Sequence, residues 1–175
     1  MNKEFHNNQQ VYIFLDLDGV LVTTNQYYTN RKKWHPMYDC YRFDEKCVKV
    51  FNQILDEAML SKKPIVVLSS DWGKKYSLEV MNRIFEWNNV KCTITDITPN
   101  LWGIEFMKVQ ELEACRASEI IKYVCDNNVQ KFIVIDDYDL NPWFEANFIH
   151  IKRANEGIKQ LGIKEKIIKF LKEHC

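Results

Sequence analysis

Three short apolar runs, each followed directly by a polar residue, constrain the fold of this chain more than any other feature. The runs cover residues 11–15, 64–68 and 131–135, and the polar residues that follow them are Asp16, Ser69 and Asp136. The runs are rich in Val and Ile and are unbroken, which is typical of strands buried on both faces of a sheet. Residues 91–95 and 147–151 are two weaker strand candidates.

Apolar residues recur at a spacing of 3.6 residues in the stretches between and after these runs, which predicts four helices. The predicted helices cover residues 44–60, 74–88, 117–127 and 163–173. Asp44 is suited to cap the first of them. Strands that alternate with helices are joined in parallel by right-handed crossovers. We therefore expect an α/β protein whose open parallel sheet carries helices on both faces.

Length and composition favour one soluble domain over residues 1–175. The 24 basic and 24 acidic residues give a formal net charge of zero, which argues against a broad basic surface for duplex DNA. The six cysteines show neither a C-x-x-C pair nor zinc-ligand spacing, so we expect reduced thiols in a cytoplasmic protein. We see no signal peptide and no apolar window of membrane-spanning length, and we expect no membrane partner.

Acidic residues cluster where predicted strands end, which is the edge where open parallel sheets bind ligands. Asp16 and Asp18 follow the first strand and precede Gly19, while Asp136 and Asp137 follow a later strand. At about 4 Å and an effective dielectric of about 20, each like-charge contact costs roughly 4 kcal/mol. A hard dication relieves this repulsion, and Mg²⁺ favours carboxylates, waters and phosphate oxygens. A lone D-x-D is usually a turn, but the combination predicts a site for a metal and an anion.

The order of these motifs resembles the haloacid dehalogenase-like (HAD) hydrolase superfamily. Asp16-Leu17-Asp18-Gly19-Val20, Ser69 and Asp136-Asp137 each follow a hydrophobic strand, and the resemblance extends over residues 11–137. It implies a Rossmann-like three-layer sandwich with strand order 5-4-1-2-3 and no full cap domain. The runs Leu68–Trp72 and Arg116–Ile120 are loosely similar to the small HAD domains of RNA-repair proteins.

The resemblance implies a chemical role for each motif residue. Asp16 would be the nucleophile that forms an aspartyl-phosphate. Asp18 would act as the general acid and then the general base, and its identity favours phosphatase over dehalogenase or phosphonatase chemistry. Ser69 would hydrogen-bond the phosphate, helped by Gly19 and by backbone N–H groups near Ser70, where a helix begins.

The resemblance also implies a metal and a counter-charge. The ligands of Mg²⁺ would be Asp16, the backbone carbonyl of Asp18, Asp136 and, through water or by orienting the others, Asp137. The family has a cation near the start of the helix that precedes the acidic pair. Arg116 is our prediction for this cation, and Lys108 and Lys122 are the alternatives.

Residues 23–43 hold six aromatic and four basic residues against one acid. Aromatic faces with cations between them suit stacking on bases and contact with phosphates. Trp34 and Arg31 are therefore predicted to bind substrate, within a flap over the active site. The alternative is that these aromatics pack on the core. Residues 102–110 are predicted to line the same opening.

The leading hypothesis is a Mg²⁺-dependent phosphomonoesterase that acts on a phosphorylated substrate. A nucleotide or nucleic-acid end leads among the substrates, followed by a small metabolite or a phosphoprotein. One alternative is a catalytically idle module that binds phosphate. Another is a signalling receiver domain, whose phosphoacceptor ends the third strand and does not suit the D-x-D-G spacing. No oligomeric state follows from the sequence.

Overall fold

The central sheet of the protein has five parallel strands in the part of the chain that the structure describes. The structure is a computed structural model that describes residues 10–25, 34–58, 63–101 and 109–174. The strands are β1 Val11–Leu15, β2 Ile65–Leu68, β3 Ile94–Ile97, β4 Lys131–Asp136 and β5 Phe148–His150. Their order is β3-β2-β1-β4-β5. This is the predicted α/β order seen from the opposite edge, so the predicted Rossmann-like fold is confirmed.

The three central strands end at the same level. Leu15 in the middle strand β1 pairs with Leu68 of β2 and with Ile135 of β4. The ladder continues one residue further, because the Asp16 N–H donates to the Ile135 carbonyl at 3.0 Å. The Ser69 N–H likewise donates to the Leu15 carbonyl at 2.9 Å. The polar residues that end the three apolar runs therefore lie side by side at one edge of the sheet.

Helices cover both faces of the sheet and complete three layers. They are α1 Glu45–Ala58, α2 Trp72–Lys75, α3 Leu78–Trp87, α4 Val109–Asp126, α5 Asn141–Phe144 and α6 Ile163–His174. Successive residues of β1 point to opposite faces. Ile13 belongs to the larger hydrophobic cluster, which includes residues of α1, α3 and α6. Phe14 belongs to the smaller cluster, which includes residues of α4 and α5.

Some element boundaries differ from those that the sequence predicts. The predicted helix 74–88 is two helices, because Ser77 caps α3 by accepting from the Val80 N–H at 3.4 Å. The helix predicted to begin at residue 117 begins at Val109. The strand predicted at 91–95 lies at Ile94–Ile97.

The predicted cap of the first helix is confirmed. One carboxylate oxygen of Asp44 accepts from the backbone N–H groups of Lys46 and Cys47 at 2.9 and 3.1 Å. These contacts satisfy two N–H groups at the start of α1, which have no partner within the helix.

Within the described residues, the cysteines are free thiols. No helix in the same part of the chain combines the length and apolar character that crossing a bilayer requires.

Candidate active site

Three carboxylates converge at the ends of β1 and β4. Asp16, Asp136 and Asp137 each offer an oxygen, and these oxygens all lie within 4.8 Å of one another. The side chains of Asp16 and Asp136 are almost fully buried, and that of Asp137 is partly buried. The structure therefore brings together three of the four predicted metal ligands through their side chains.

Gly19 makes room for this cluster. Its φ is +71°, a backbone conformation that residues with a Cβ rarely adopt. A Cβ on Gly19 would lie 2.2 Å from Oδ2 of Asp137. The glycine in the D-x-D-G motif is thus required both by the turn and by the close approach of the second acidic pair.

Arg116 supplies the buried positive charge beside these acids. Its Nη1 donates to Asp16 Oδ1 at 3.1 Å, to Asp136 Oδ2 at 2.8 Å and to the Ser69 carbonyl at 2.6 Å. The guanidinium also lies over the ring of Tyr138, with 5.4 Å between Cζ and the ring centroid. The predicted arginine therefore contacts the ends of all three central strands at once. We call Asp16, Ser69, Arg116, Asp136 and Asp137 the strand-end site.

Burial and mutual repulsion shift the pKa values of these three acids. Burial, together with the charge of Asp136, raises the pKa of Asp16 well above its ordinary value, although Arg116 opposes the shift. Burial raises the pKa of Asp136 to about 6 and that of Asp137 to about 7. Burial disfavours the charge on Arg116, but the carboxylates of Asp136 and Asp16 outweigh it and raise its pKa. One arginine does not neutralise three acids, so the cluster favours a further cation.

Two buried hydroxyl groups lie at the end of β2. Within the described residues, the Oγ of Ser69 is buried and lacks a hydrogen-bond partner, whereas the Ser70 hydroxyl interacts with the Asp16 carboxyl group and opposes the rise in its pKa. An unpaired buried polar group costs about 1–3 kcal/mol, so the Ser69 hydroxyl indicates a place for a polar ligand. The short helix α2 begins at Trp72, two residues after Ser70, and the Ser70 carbonyl accepts from the Gly73 N–H at 2.9 Å.

The side chain of Asp18 accepts a hydrogen bond that the sequence does not predict. The indole Nε1–H of Trp72 donates to Oδ2 of Asp18 at 2.9 Å. Trp72 lies on α2, and 54 residues separate it from Asp18. Its position shortly after Ser69 and Ser70 is the only sequence signal for this contact, and no periodic pattern includes it.

A second set of charges surrounds the far side of Arg116. Asp71 lies 3.6 Å from its Nη2, and Glu119 lies 3.9 Å from its Nε. Lys74 lies 2.8 Å from Asp71 and 3.6 Å from the buried Glu119. The i,i+3 spacing of Arg116 and Glu119 on one helix is the signal that could have identified Glu119.

Several predicted site residues lie elsewhere or outside the described residues. Arg31 and Lys108 lie outside the residues that the structure describes. Lys122 is exposed and pairs with Asp126 at 2.9 Å. It is thus directed to the surface of α4, in contrast to Arg116. Residues 102–108 also lie outside the described part, so their predicted position at the opening stays a prediction.

Residues 34–43, which we call the aromatic segment, pack on α2 and α3. Trp34 is 40% exposed, and its ring contacts that of Tyr41 edge-on at 4.4 Å. His35 is buried 4.4 Å from the ring of Trp87. Phe43 belongs to the hydrophobic core. These contacts agree with the alternative that the aromatics pack on the protein, and the flap stays a prediction.

The parallel sheet and the acids at its edge together define a class of protein, the HAD-type hydrolases. A family model, the HAD domain in Swiss Army Knife RNA repair proteins, matches residues 12–160. The chain belongs to this family, which confirms the resemblance found in its sequence. Comparisons with curated proteins and with solved structures gave no match.

Proposed function

We propose that this protein is a Mg²⁺-dependent phosphomonoesterase that acts through an aspartyl-phosphate. The observation that carries the proposal is the convergence of Asp16, Asp136 and Asp137, whose oxygens lie within 4.8 Å of one another. The buried guanidinium of Arg116 and the unpaired hydroxyl of Ser69 support it, because they suit an anion beside the acids.

The acids fit a hard dication. Mg²⁺ binds oxygen at roughly 2.1 Å, so two of its ligand oxygens lie at most about 4.2 Å apart. The oxygens of the three acids lie within 4.8 Å of one another, which is close to this limit. Asp16, Asp136 and Asp137 would hold the ion, together with the backbone carbonyl of Asp18. When bound, the ion balances the charge of the acids and of the phosphoryl group.

Asp16 acts as the nucleophile in the first step. One of its carboxylate oxygens attacks phosphorus, and the bond from phosphorus to the ester oxygen breaks. Asp18, in its protonated form, gives its proton to that leaving oxygen. Arg116 and the Ser69 hydroxyl stabilise the negative charge of the phosphoryl oxygens.

Asp18 then acts as the base in the second step. It takes a proton from a water molecule, and the water oxygen attacks the phosphorus of the aspartyl-phosphate. The bond between phosphorus and the Asp16 oxygen breaks, which releases inorganic phosphate and regenerates both carboxyl groups. Each Asp therefore returns to its starting state after one turnover.

A phosphorylated nucleic-acid end is the substrate that we favour. The family is described by its presence in RNA repair proteins, and this description is the main support. The 40% exposed ring of Trp34 adds a face suited to stacking on a base, and three basic residues, 31–33, precede it in the sequence. Turnover of a sugar phosphate or phosphopeptide in preference to oligonucleotides would contradict this assignment.

Hydrolysis of p-nitrophenyl phosphate with and without Mg²⁺ tests the reaction. We expect turnover that requires Mg²⁺ and falls by at least about 10³-fold in Asp16→Asn, because the amide is a poor nucleophile. Asp126→Asn is the matched control, since Asp126 is an exposed Asp on α4 whose charge pairs with the surface Lys122. Full activity of Asp16→Asn would contradict the nucleophile.

Substrate choice requires a panel measured with the same enzyme. It comprises nucleotides, 3′- and 5′-phosphorylated oligonucleotides, sugar phosphates and a phosphopeptide, each followed by release of inorganic phosphate. Absence of turnover on the whole panel, together with a melting temperature that Mg²⁺ and phosphate raise, would favour an idle phosphate-binding module instead.

A further inference from the structure

We propose that Trp72 is a positioning residue for Asp18, an inference that rests on the proposed function of Asp18 as general acid and base. The indole Nε1–H donates to Asp18 Oδ2 at 2.9 Å, a well-formed N–H···O hydrogen bond. Asp18 follows the first strand, whereas Trp72 lies on α2, so the bond joins two separate elements. It restrains the Asp18 carboxyl group through one of its two oxygens.

The donor is neutral, which suits its surroundings. Asp18 lies next to an acidic cluster whose charges already interact with one another. An indole N–H orients a carboxylate without adding a unit charge to this pocket. A lysine at the same place would form an ion pair with Asp18 and would compete with Arg116 for the acids.

The ring that carries the donor is itself held on two sides. Phe43 contacts the Trp72 ring edge-on with 5.7 Å between centroids, and Tyr76 lies at 6.0 Å. The Tyr76 hydroxyl in turn donates to the backbone carbonyl of Asp39 at 2.6 Å. The aromatic segment thus supports the indole directly through Phe43 and indirectly through the contact of Asp39 with Tyr76.

The backbone of α2 is also fixed close to the sheet. A Cβ on Gly73 would lie 2.4 Å from Cγ2 of Ile97 in β3, so the helix approaches this strand as only glycine allows. The Tyr76 N–H donates to the Trp72 carbonyl at 2.9 Å and closes the turn. Both the ring and the backbone of Trp72 are therefore restrained, as a positioning role requires.

A positioned general acid matters most when the leaving group is basic. A p-nitrophenolate ion leaves readily without a proton, whereas phenolate is more basic and gains more from protonation. Loss of the indole N–H should therefore slow phenyl phosphate more than p-nitrophenyl phosphate. A purely structural defect would slow both esters equally, because they differ by one nitro group.

The test compares kcat/KM, which reports the step that expels the leaving group, for these two esters in the wild type, Trp72→Phe and Asp18→Asn. The phenylalanine keeps an aromatic ring between Phe43 and Tyr76 but lacks the N–H. We expect Trp72→Phe to lose roughly tenfold on phenyl phosphate and less than about threefold on p-nitrophenyl phosphate. Asp18→Asn should show a larger gap in the same direction. The double variant should be no slower than Asp18→Asn alone, since both changes act on one group.

Trp87→Phe is the matched control, because Trp87 packs against the same aromatic segment but contacts His35 and Arg42. It should leave the ratio of the two rates unchanged. An unchanged ratio in Trp72→Phe, at equal melting temperature, would overturn the positioning role while leaving the phosphatase proposal intact. A wild-type protein that hydrolyses neither ester would overturn both.

Discussion

The strand-end site and the aromatic segment both gather charged and polar side chains, but they satisfy them differently. In the aromatic segment, polar groups pair locally: His35 Nδ1 accepts from the backbone N–H groups of Met37 and Tyr38 at 3.0 and 3.1 Å. Arg42 donates to the Trp87 carbonyl and lies over its ring. In the strand-end site, acids face one another around one arginine, and the buried hydroxyl of Ser69 is left unpaired.

This contrast distinguishes residues that maintain the fold from residues whose polar groups are suited to bind a ligand. A group already satisfied by its neighbours gains little from binding something else. Burial and like-charge repulsion raise the free energy of the groups in the strand-end site. Binding a cation and an anion there would lower it. The contrast can be tested in four ways, and the effect that we expect decreases from the buried arginine to the aromatic segment.

Removing the buried cation should have the largest effect on stability. Arg116→Met leaves Asp16 and Asp136 without their counter-charge, and we expect a loss of about 3–5 kcal/mol in the free energy of unfolding. Urea denaturation without Mg²⁺ measures it, and added Mg²⁺ should restore part of the loss. Arg83→Met is the control, because Arg83 is an exposed arginine paired with Glu79. Equal stability of the two variants would contradict the role of Arg116 as a buried counter-charge.

Adding one methyl group beside the acidic cluster should lower activity as well as stability. Gly19→Ala places a Cβ against Asp137, so we expect kcat/KM on p-nitrophenyl phosphate to fall at least about tenfold and stability to fall by about 1–2 kcal/mol. Gly162→Ala is the matched control, because Gly162 has a φ of +82° with open space around its Cβ position. It should lose about 1 kcal/mol and retain full activity. Equal activity of both variants would argue against the importance of the close approach.

The acids should make the metal-free protein sensitive to pH. Burial raises the pKa of Asp137 to about 7, above its unfolded value near 4. Its contribution to stability is therefore fully present below about pH 4 and is lost as the pH rises through about 7. The measurement is the melting temperature between about pH 5 and pH 8. The fall should be smaller in Asp137→Asn and should disappear with saturating Mg²⁺. If melting temperature depended on pH equally in the metal-free wild type and the metal-free Asp137→Asn variant, this role of Asp137 would be wrong.

Removing the His35 contacts within the aromatic segment should affect stability alone. His35→Ala removes the acceptor for two N–H groups and the contact with Trp87, and we expect a loss of about 1–2 kcal/mol. The folded variant should hydrolyse p-nitrophenyl phosphate at the wild-type rate. Met37→Ala, at a 76% exposed residue of the same segment, serves as the control. A rate that falls further than the folded fraction would contradict a purely structural role for His35.

The central part of the fold could be predicted because its signals are local. Strands buried on both faces need unbroken apolar runs, and the residues that follow them must then lie at one edge. That Asp16 and Asp136 lie at the same edge follows from this logic, whereas the order that makes their strands neighbours was implied by the family resemblance. The edge strand β3 was less predictable, because Asp96 and its neighbours in this strand are more exposed and the pairing with β2 shifts between Val66 and Val67.

Buried charged residues also made the start of α4 hard to predict. The buried face of α4 carries Arg116 and Glu119, so the apolar spacing that predicts a helix is interrupted where the helix faces the site. The predicted start at residue 117 is wrong for this reason. Trp72 could not be predicted as a partner of Asp18, since a contact between residues 54 apart depends on the assembled sheet.

The level ends of β1, β2 and β4 have a consequence for how the active site forms during folding. Its acids and serine are drawn from residues 16, 69 and 136, so no short piece of the chain holds enough of them. Contacts between residues so distant in sequence form slowly, after long loops have closed. A partly synthesised or partly folded chain therefore lacks the complete acidic cluster. Mg²⁺ binding should report completion of the sheet, and its onset during refolding should coincide with the last structural phase.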